Sequence, residues 1–421
     1  MTDRPATAAR WRLGAMLGLT VLLLRVLMSY GVPATLWANS ARYWTPDGHP
    51  AGDVSVVAPL LLHLAHSPVA ITLLQSVIGG VCWGLLVAVL VGAQRQVMRG
   101  LVLGSLVGLL AVSRLVANWD AAVLSESITL SMTALWMAGL VLALTRPGWR
   151  SLAALCCGAL LLVGAHPEDA LFAVPVTLLV ALTRSGMRWR ARTALAAVAV
   201  LPALWATTAI ASFENSGSCA PGLTCRGWYA LTRLGDLGGN ADYASIAAAA
   251  GVPSCPSLTA AIDGFRATGV MRAQDICPEA RAWLDAGGVG EVGLWLHHPL
   301  LAAQLTASRL DAVATPPAYV PSVGLAGAGE GIALASPLVL LLWWRRRDDV
   351  VFPLLIVCGA IGACFVLLAD GVEHQRHVLP FTAPILLAIL ARPAGGWAPA
   401  WRGARTRDAA AVAADALATA T

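Results

Sequence analysis

Long apolar segments alternate with short polar connections along most of this chain. Ten segments are continuously apolar over about 15 to 25 residues, the length that crosses a ~30 Å hydrocarbon core as a helix. Continuous apolar runs of this length favour helices over strands. We predict spans at roughly 13–30, 68–92, 98–116, 121–145, 151–165, 168–183, 193–211, 323–343, 350–369 and 376–391.

Composition supports a membrane protein. The 421 residues are 58% hydrophobic and only 12% charged, with a mean hydropathy of +0.72. A water-soluble protein of this length needs more charge to cover its surface. The first segment contains Arg25 and precedes no small-x-small cleavage site, so we predict a retained span rather than a signal peptide. The predicted fold class is all-α, a polytopic transmembrane bundle of about ten spans.

Arginines divide the connections into two groups. Every basic residue except histidine is an arginine, and arginines cluster in every second connection and beside both ends of the span series. The positive-inside rule therefore predicts a multi-pass plasma-membrane protein with both termini in the cytoplasm. Because the charge is sorted by membrane side rather than gathered in one patch, no nucleic-acid partner is indicated.

The connection 212–322 is too long to be a plain loop, and its pattern predicts a small, mostly helical extracytoplasmic cap. It contains Cys219, Cys225, Cys255 and Cys277, which in an oxidising compartment suggest two disulfides with three possible pairings. The predicted domains are a transmembrane module at 1–211, the cap at 212–322, the last three spans at 323–391 and a disordered cytoplasmic tail at 392–421.

One predicted outer connection leads into a polar helix start, "NWDAAVLSESITLSM" at 118–132. Asp120 fits the N-cap of the following helix, which would place Glu126 in its second turn and extend a polar stripe through Thr129 and Thr133. A carboxylate at that depth is costly unless it meets water, a cation or a ligand. We favour a functional Glu126 and Asp120 over the alternative, a glutamate paired with an arginine between helices.

Further candidates lie near the predicted outer helix ends. Arg25, Arg114 and Arg376 are suited to gripping a phosphate, although Arg25 could equally extend toward the membrane interface. Asp53 precedes an apolar helix and serves either as a general base or as a cap. His166 and Glu168 open the sixth span, where we favour ordinary helix-start chemistry over a role of His166 as a proton carrier.

A final group opens the tenth span. Glu373 and His377 flank Arg376 in "DGVEHQRHVLPF". We interpret this group as the lining of a polar cavity. A metal site is the minority interpretation, because the spacing is not HExxH and no fourth ligand is evident. No metal ligand is assigned, and a divalent metal cofactor is left open.

Four stretches together resemble the GT-C superfamily of membrane glycosyltransferases, in particular a branch common in actinobacteria: "SPVAITLLQSVIGGVCWGLLVAVL", "NWDAAVLSESITLSMTALWMAGLVLAL", "HPEDALFAVPVTLLVAL" and "GVEHQRHVLPF". The resemblance implies a polyprenyl-phosphate-linked sugar as donor, transferred at the outer membrane face to a cell-envelope acceptor. It also implies a carboxylate that acts as general base and an arginine that binds the donor phosphate.

The first outer connection departs from the family pattern. Such enzymes usually carry an acidic residue there, whereas "NSARY" has Asn39 at the matching position. The base is then Asp47 or Asp53, or the role has moved to Asp120 or Glu126, or catalysis is lost. A non-catalytic envelope protein that binds lipid or glycan is therefore the second hypothesis. A transporter ranks third, because the charges lie at the outer ends of spans rather than at mid-membrane.

Overall fold

The computed structural model describes residues 4–36, 40, 43–45, 55–94, 96–146, 148–183, 189–216, 218–220, 222–237, 244, 247–248, 251–268, 276–288, 290 and 296–304. These residues are mostly helical, in agreement with the predicted all-α class. They fall into two compact units, one up to Ala206 and one from Thr207. The last three predicted spans and the predicted disordered tail lie outside the described residues.

The helices of the first unit follow the predicted apolar segments. They are α1 (Arg4–Ser29), α2 (Val57–Leu62), α3 (Pro68–Ala93), α4 (Val97–Val112), α5 (Arg114–Ala117), α6 (Glu126–Thr145), α7 (Trp149–Ala165) and α8 (Ala170–Thr183), followed by α9 (Trp189–Ser216), which continues into the second unit. Two 3-10 turns, Asn118–Ala121 and Pro167–Asp169, lie in the connections. The first seven predicted spans thus correspond to α1, α3, α4, α6, α7, α8 and α9.

Two boundaries differ from the prediction around residue 120. Helix α4 ends at Val112, because Ser113 adopts an extended backbone and its side chain donates to the carbonyl of Leu110 at 2.6 Å. Helix α6 begins at Glu126, with Ser125 as its N-cap residue. The prediction that Asp120 caps this helix is therefore wrong: Asp120 lies in the preceding 3-10 turn. Glu126 accordingly lies in the first turn of α6 rather than the second.

Three of the described helices are long and apolar enough to cross a membrane: Thr7–Ser29 within α1, then α3 and α6. Helices α4 and α7 and the segment Val200–Ser212 of α9 are apolar but shorter. Large apolar side chains on one side of α1 are exposed, among them Leu19, Leu23 and Leu27. An exposed apolar surface of this kind suits contact with lipid.

Glycines let α1 and α3 approach to backbone contact. A Cβ atom added to Gly84 would lie 2.6 Å from the carbonyl oxygen of Gly18, and one added to Gly14 would lie 2.7 Å from that of Ala88. On α4, a Cβ at Gly108 would lie 3.2 Å from the Val21 side chain. Small residues spaced four apart permit this close packing between membrane helices. The contact brings the polar residues of α1 and α3 within hydrogen-bonding distance of the same partners.

The second unit is a small helical structure. Its elements after α9 are β1 (Ser218–Ala220), β2 (Leu223–Thr224), α10 (Cys225–Leu237), α11 (Pro256–Thr268) and α12 (Pro278–Asp285), with β1 and β2 antiparallel. Leu231, Leu234, Ile262, Ile276 and Leu284 are part of its buried core. The carboxylate of Asp285 accepts hydrogen bonds from the backbone and side chain of Thr224, at 2.9 and 2.6 Å.

A disulfide joins Cys255 to Cys277 and links the segments that precede α11 and α12. One of the two bridges expected from the four cysteines of the long connection is therefore present. With this pair formed, Cys219–Cys225 is the only remaining pairing of the other two cysteines. That second bridge stays a prediction, and so does the extracytoplasmic position of this unit.

Removal of the Cys255–Cys277 disulfide is expected to destabilise the second unit by about 3 kcal/mol, because the bond closes a loop with a sequence separation of 22 residues. Hydrogen exchange of α11 and α12 in the full-length Cys255→Ala/Cys277→Ala protein should accelerate. The exposed Cys157 of α7 provides a control, since Cys157→Ala leaves this loop intact. Unchanged protection in the double variant would contradict the prediction.

Candidate functional site

Three connections that the arginine pattern places on one side of the membrane contact each other at one end of the first unit. Thr35 donates its backbone N–H to Ala121 at 2.7 Å, and its carbonyl accepts from Val123 at 3.2 Å. The backbone N–H of Val56 donates to Gly164, at the end of α7, at 2.9 Å. The residues before α3 are thus hydrogen-bonded both to the residues before α6 and to the end of α7.

Arg25 and Asp120 form a fully buried ion pair in this region. The Nη2 atom of Arg25 lies 2.6 Å from both carboxylate oxygens of Asp120, and its Nη1 atom donates to the carbonyl of Ala111 at 2.9 Å. The side chains are 1% and 0% exposed. An ion pair in a low-dielectric interior is retained only when further hydrogen bonds satisfy its remaining polar atoms.

Side chains from α3 and α6 supply further hydrogen bonds to Asp120. Ser76 donates to Oδ2 of Asp120 at 3.0 Å, and Ser127 donates to Oδ1 at 2.6 Å. The side-chain amide of Gln75 donates to the backbone carbonyls of Asp120 at 3.1 Å and Ala122 at 2.8 Å. Each carboxylate oxygen therefore accepts from both Arg25 and a serine hydroxyl.

Gly79 provides the space for the guanidinium group. A Cβ atom at this position of α3 would lie 2.6 Å from Nη2 and 2.8 Å from Cζ of Arg25. Any larger residue at position 79 would therefore displace Arg25 from its bonds to Asp120. We refer to Arg25, Gln75, Ser76, Asp120 and Ser127 as the Asp120 network.

A second group of ionisable side chains lies next to this network along the chain. Glu126, the residue before Ser127, is 2% exposed in the first turn of α6. His166 lies 3.4 Å from a carboxylate oxygen of Glu168 through Nε2 and 3.7 Å from one of Asp169 through Nδ1. The charge of Glu126 also acts on His166. We refer to Glu126, His166, Glu168 and Asp169 as the His166 cluster.

Burial and charge act in opposite directions on this cluster. Burial alone would lower the pKa of His166, but the carboxylates of Glu168, Asp169 and Glu126 outweigh it and raise the pKa to about 9. Burial raises the pKa of Asp169 to about 6, against the opposing charge of His166. At neutral pH, the cluster therefore contains an imidazolium that offsets the charge of its carboxylates.

The stability of the first unit should consequently decrease in mildly alkaline solution. Because the folded-state pKa of His166 lies above its ordinary value of 6.5, its stabilising contribution is fully present below that pH and is lost as the pH rises through about 9. The expected loss is roughly 3 kcal/mol. Unfolding of the full-length protein in micelles, measured from about pH 6 to about pH 10, should show this decrease, and His166→Gln should lack it. A parallel decrease in both proteins would argue against His166 as its source.

The polar stripe predicted on α6 bonds to its own helix. Thr129 donates to the carbonyl of Ser125 at 2.9 Å, and Thr133 donates to that of Thr129 at 2.9 Å. Both threonines are completely buried. Both hydroxyls are therefore hydrogen-bonded within the helix itself.

The structure brings together some of the predicted site residues. Arg25 and Asp120 are paired, and Glu126, His166 and Glu168 belong to one cluster. Arg114 begins α5 at the same end of the unit. The other predicted residues, Asp53, Glu373, Arg376 and His377, lie outside the described residues, as does Asn39. In the part of the chain that the structure describes, no three His, Cys, Asp or Glu side chains are arranged to hold a metal ion.

Several residues of the site were missed by sequence reasoning. Gln75 and Ser76 form an adjacent polar pair in the otherwise apolar α3, and that pair was a usable signal because polar side chains inside a membrane segment require partners. Asp169 is completely buried, although a carboxylate at a helix start is ordinarily exposed to water. Nothing in the sequence marks Gly79 as important, because its role depends on where the Arg25 side chain lies in the folded protein.

Comparison with known proteins leaves the family open. No protein-family model matches this chain, and neither the curated proteins nor the solved structures contain a significant match. The resemblance to GT-C glycosyltransferases therefore rests on the sequence stretches quoted above.

Proposed function

We propose that this protein is a membrane glycosyltransferase that moves a sugar from a polyprenyl-phosphate donor to a cell-envelope acceptor. The supporting observation is the His166 cluster, in which the buried carboxylates of Glu126 and Asp169 accompany the half-buried His166 and Glu168 at one end of an apolar helical unit. The proposal includes a ten-span GT-C-like bundle in the plasma membrane, both termini in the cytoplasm and the second unit as an outer, disulfide-tied cap.

In the proposed reaction, Glu126 is the general base. The acceptor hydroxyl oxygen attacks the anomeric carbon of the donor sugar and transfers its proton to the Glu126 carboxylate. The bond between the anomeric carbon and the phosphate oxygen breaks, and polyprenyl phosphate leaves with the bonding electrons. Glu126 is a buried carboxylate in the first turn of α6, a group of the kind that can accept this proton.

Asp120 is a weaker candidate for the base than Glu126. Both of its carboxylate oxygens already accept from Arg25 and from serine hydroxyls, and the side chain is completely buried. Arg25 is engaged in the same network and would have to leave it to bind a phosphate. We therefore assign donor phosphate binding to Arg114 and Arg376, and structural support to the Asp120 network.

A transfer assay tests the proposal. The full-length protein in nanodiscs is supplied with polyprenyl-phosphate sugars labelled in the sugar, together with cell-envelope glycan or protein as acceptor. Labelled acceptor should form with at least one of these donors and should not form with nucleotide sugars. If none of the polyprenyl-phosphate donors supports transfer, or nucleotide sugars serve equally well, the proposal is overturned.

The second candidate is a non-catalytic membrane protein that binds lipid or glycan. The observation that favours it is the mutual pairing of Arg25 and Asp120, which removes two predicted active-site groups from chemistry. Binding of a polyprenyl-phosphate sugar with no turnover would select this candidate. A transporter remains the third candidate. Support for it is weak, because α3 contains no charged residue and α6 contains only Glu126, in its first turn.

A further inference from the structure

The described acidic residues of the first unit lie at one of its ends, and several arginines lie at the other. The acidic residues that the structure describes there, Asp120, Glu126, Glu168 and Asp169, belong to the Asp120 network and the His166 cluster. Several arginines lie near the opposite helix ends: Arg10 and Arg12 in α1, Arg99 in α4, and Arg146 and Arg150 on either side of the turn between α6 and α7. Arg12, Arg99, Arg146 and Arg150 are exposed.

The three helices that are long enough to span a membrane end together among these arginines. Trp11 lies in the first turns of α1, and its ring packs against Gly92 near the end of α3, where a Cβ atom would lie 2.6 Å from ring atom Cε2. The guanidinium group of Arg146, directly after α6, lies 4.5 Å from the centroid of the Trp11 ring. Trp11 thus joins the ends of three spans at one level of the bundle.

A second arginine–tryptophan pair lies at the turn between α6 and α7. Arg150 lies 5.5 Å from the ring centroid of Trp149, and that tryptophan is 65% exposed. Ser151 donates to the carbonyls of Arg146 at 2.6 Å and Gly148 at 3.0 Å, which holds the turn in place. Tryptophan and arginine at the ends of spanning helices are typical of the membrane–water interface.

We propose that this surface binds the headgroups of anionic phospholipids in the adjacent leaflet. We call it the basic surface, and it consists of Arg10, Arg12, Arg99, Arg146 and Arg150 around Trp11 and Trp149. An arginine near a negatively charged leaflet is attracted to it, and a guanidinium can donate two parallel hydrogen bonds to a phosphate. Arg146 is the central residue, because its stacking on Trp11 orients its guanidinium group.

The position of the basic surface favours a lipid over a soluble phosphate compound. Three candidate spans end there, so the arginines lie at the depth of lipid headgroups. This proposal does not depend on the proposed enzymatic function, since it concerns the end of the unit opposite to the His166 cluster.

Native mass spectrometry of the full-length protein tests the proposal. The protein is equilibrated with micelles that contain increasing fractions of phosphatidylglycerol or of phosphatidylcholine. Wild-type protein should retain phosphatidylglycerol preferentially. Arg146→Gln should bind it about fivefold more weakly, which corresponds to about 1 kcal/mol. Arg146→Lys, which keeps the charge but not the planar group, should fall between the two.

Two controls separate this site from general charge attraction. Arg226→Gln removes the same charge from α10 in the second unit and should leave lipid retention unchanged. Arg150→Gln repeats the test at a second exposed position of the basic surface. Equal retention of the two lipids would overturn the proposal, as would equal effects of Arg146→Gln and Arg226→Gln. Displacement of the lipid by millimolar inorganic phosphate would identify a soluble-anion site and would also overturn it.

Discussion

Asp120→Asn is expected to destabilise the first unit by about 3 to 5 kcal/mol, the usual cost of removing one member of a buried ion pair. Asparagine has nearly the same shape as aspartate, so packing is preserved and the charge is the main change. Arg25 would then be left as a buried cation with no counter-charge, in a place where its side chain is 1% exposed. The amide nitrogen would also face Arg25 or a serine that now donates to the carboxylate.

Unfolding of the full-length protein in micelles, followed by a folding-sensitive probe, measures this effect. Ser127→Ala removes one hydrogen bond of the network and leaves both charges, so its cost should be smaller, about 1 to 3 kcal/mol. Arg25→Met/Asp120→Leu removes both charges together and should recover much of the stability lost in Asp120→Asn. Wild-type stability in Asp120→Asn would show that the network does not support the fold.

The second large effect is expected for the proposed reaction. Glu126→Gln should lower the rate of sugar transfer by about 10² to 10⁴-fold, because glutamine cannot accept the proton of the acceptor hydroxyl. Donor binding should change little, since the donor phosphate is assigned to arginines elsewhere. The loss should therefore appear in kcat rather than in KM.

Glu168→Gln is the matched control for this variant. Glu168 belongs to the same cluster, but its side chain is 39% exposed, whereas Glu126 is 2% exposed. Both substitutions remove one negative charge near His166, so an effect that acts only through the charge of the cluster would be similar in the two proteins. If Glu126→Gln were as active as wild type, Glu126 would not be the general base. That result would leave the proposed sugar transfer standing, because the transfer assay tests it separately.

Much of the helical organisation was predictable from the sequence. The segment 68–92 was predicted as a span and is α3, Pro68–Ala93, because a long apolar run can bury its backbone polar groups only as a helix. The segment 151–165 likewise lies within α7. The start of α6 was predicted five residues too early, because the 3-10 turn before it is held by contacts of Asp120 with α1, α3 and Ser127.

The partner of each buried charge was not predictable from local pattern. Sequence reasoning considered an arginine as a partner for Glu126, but the structure pairs Arg25 with Asp120, 95 positions away in the chain. The choice depends on the close approach of α1 to α3 at Gly18 and Gly84 and on the space at Gly79. The charge of Glu126 instead acts on His166, which requires α7 to end near the start of α6.

The sequence by itself determined which segments of this protein are apolar helices and that Arg25, Asp120, Glu126 and His166 lie near helix ends. Hydrophobic length and helix-start chemistry act over neighbouring residues, so they can be read along the chain. Only the tertiary structure decided that Asp120 completes a closed network whereas Glu126 belongs to a cluster of ionisable groups. That division depends on which helices touch, and contacts between distant helices are set by the shapes of packed side chains and glycine gaps rather than by any local pattern.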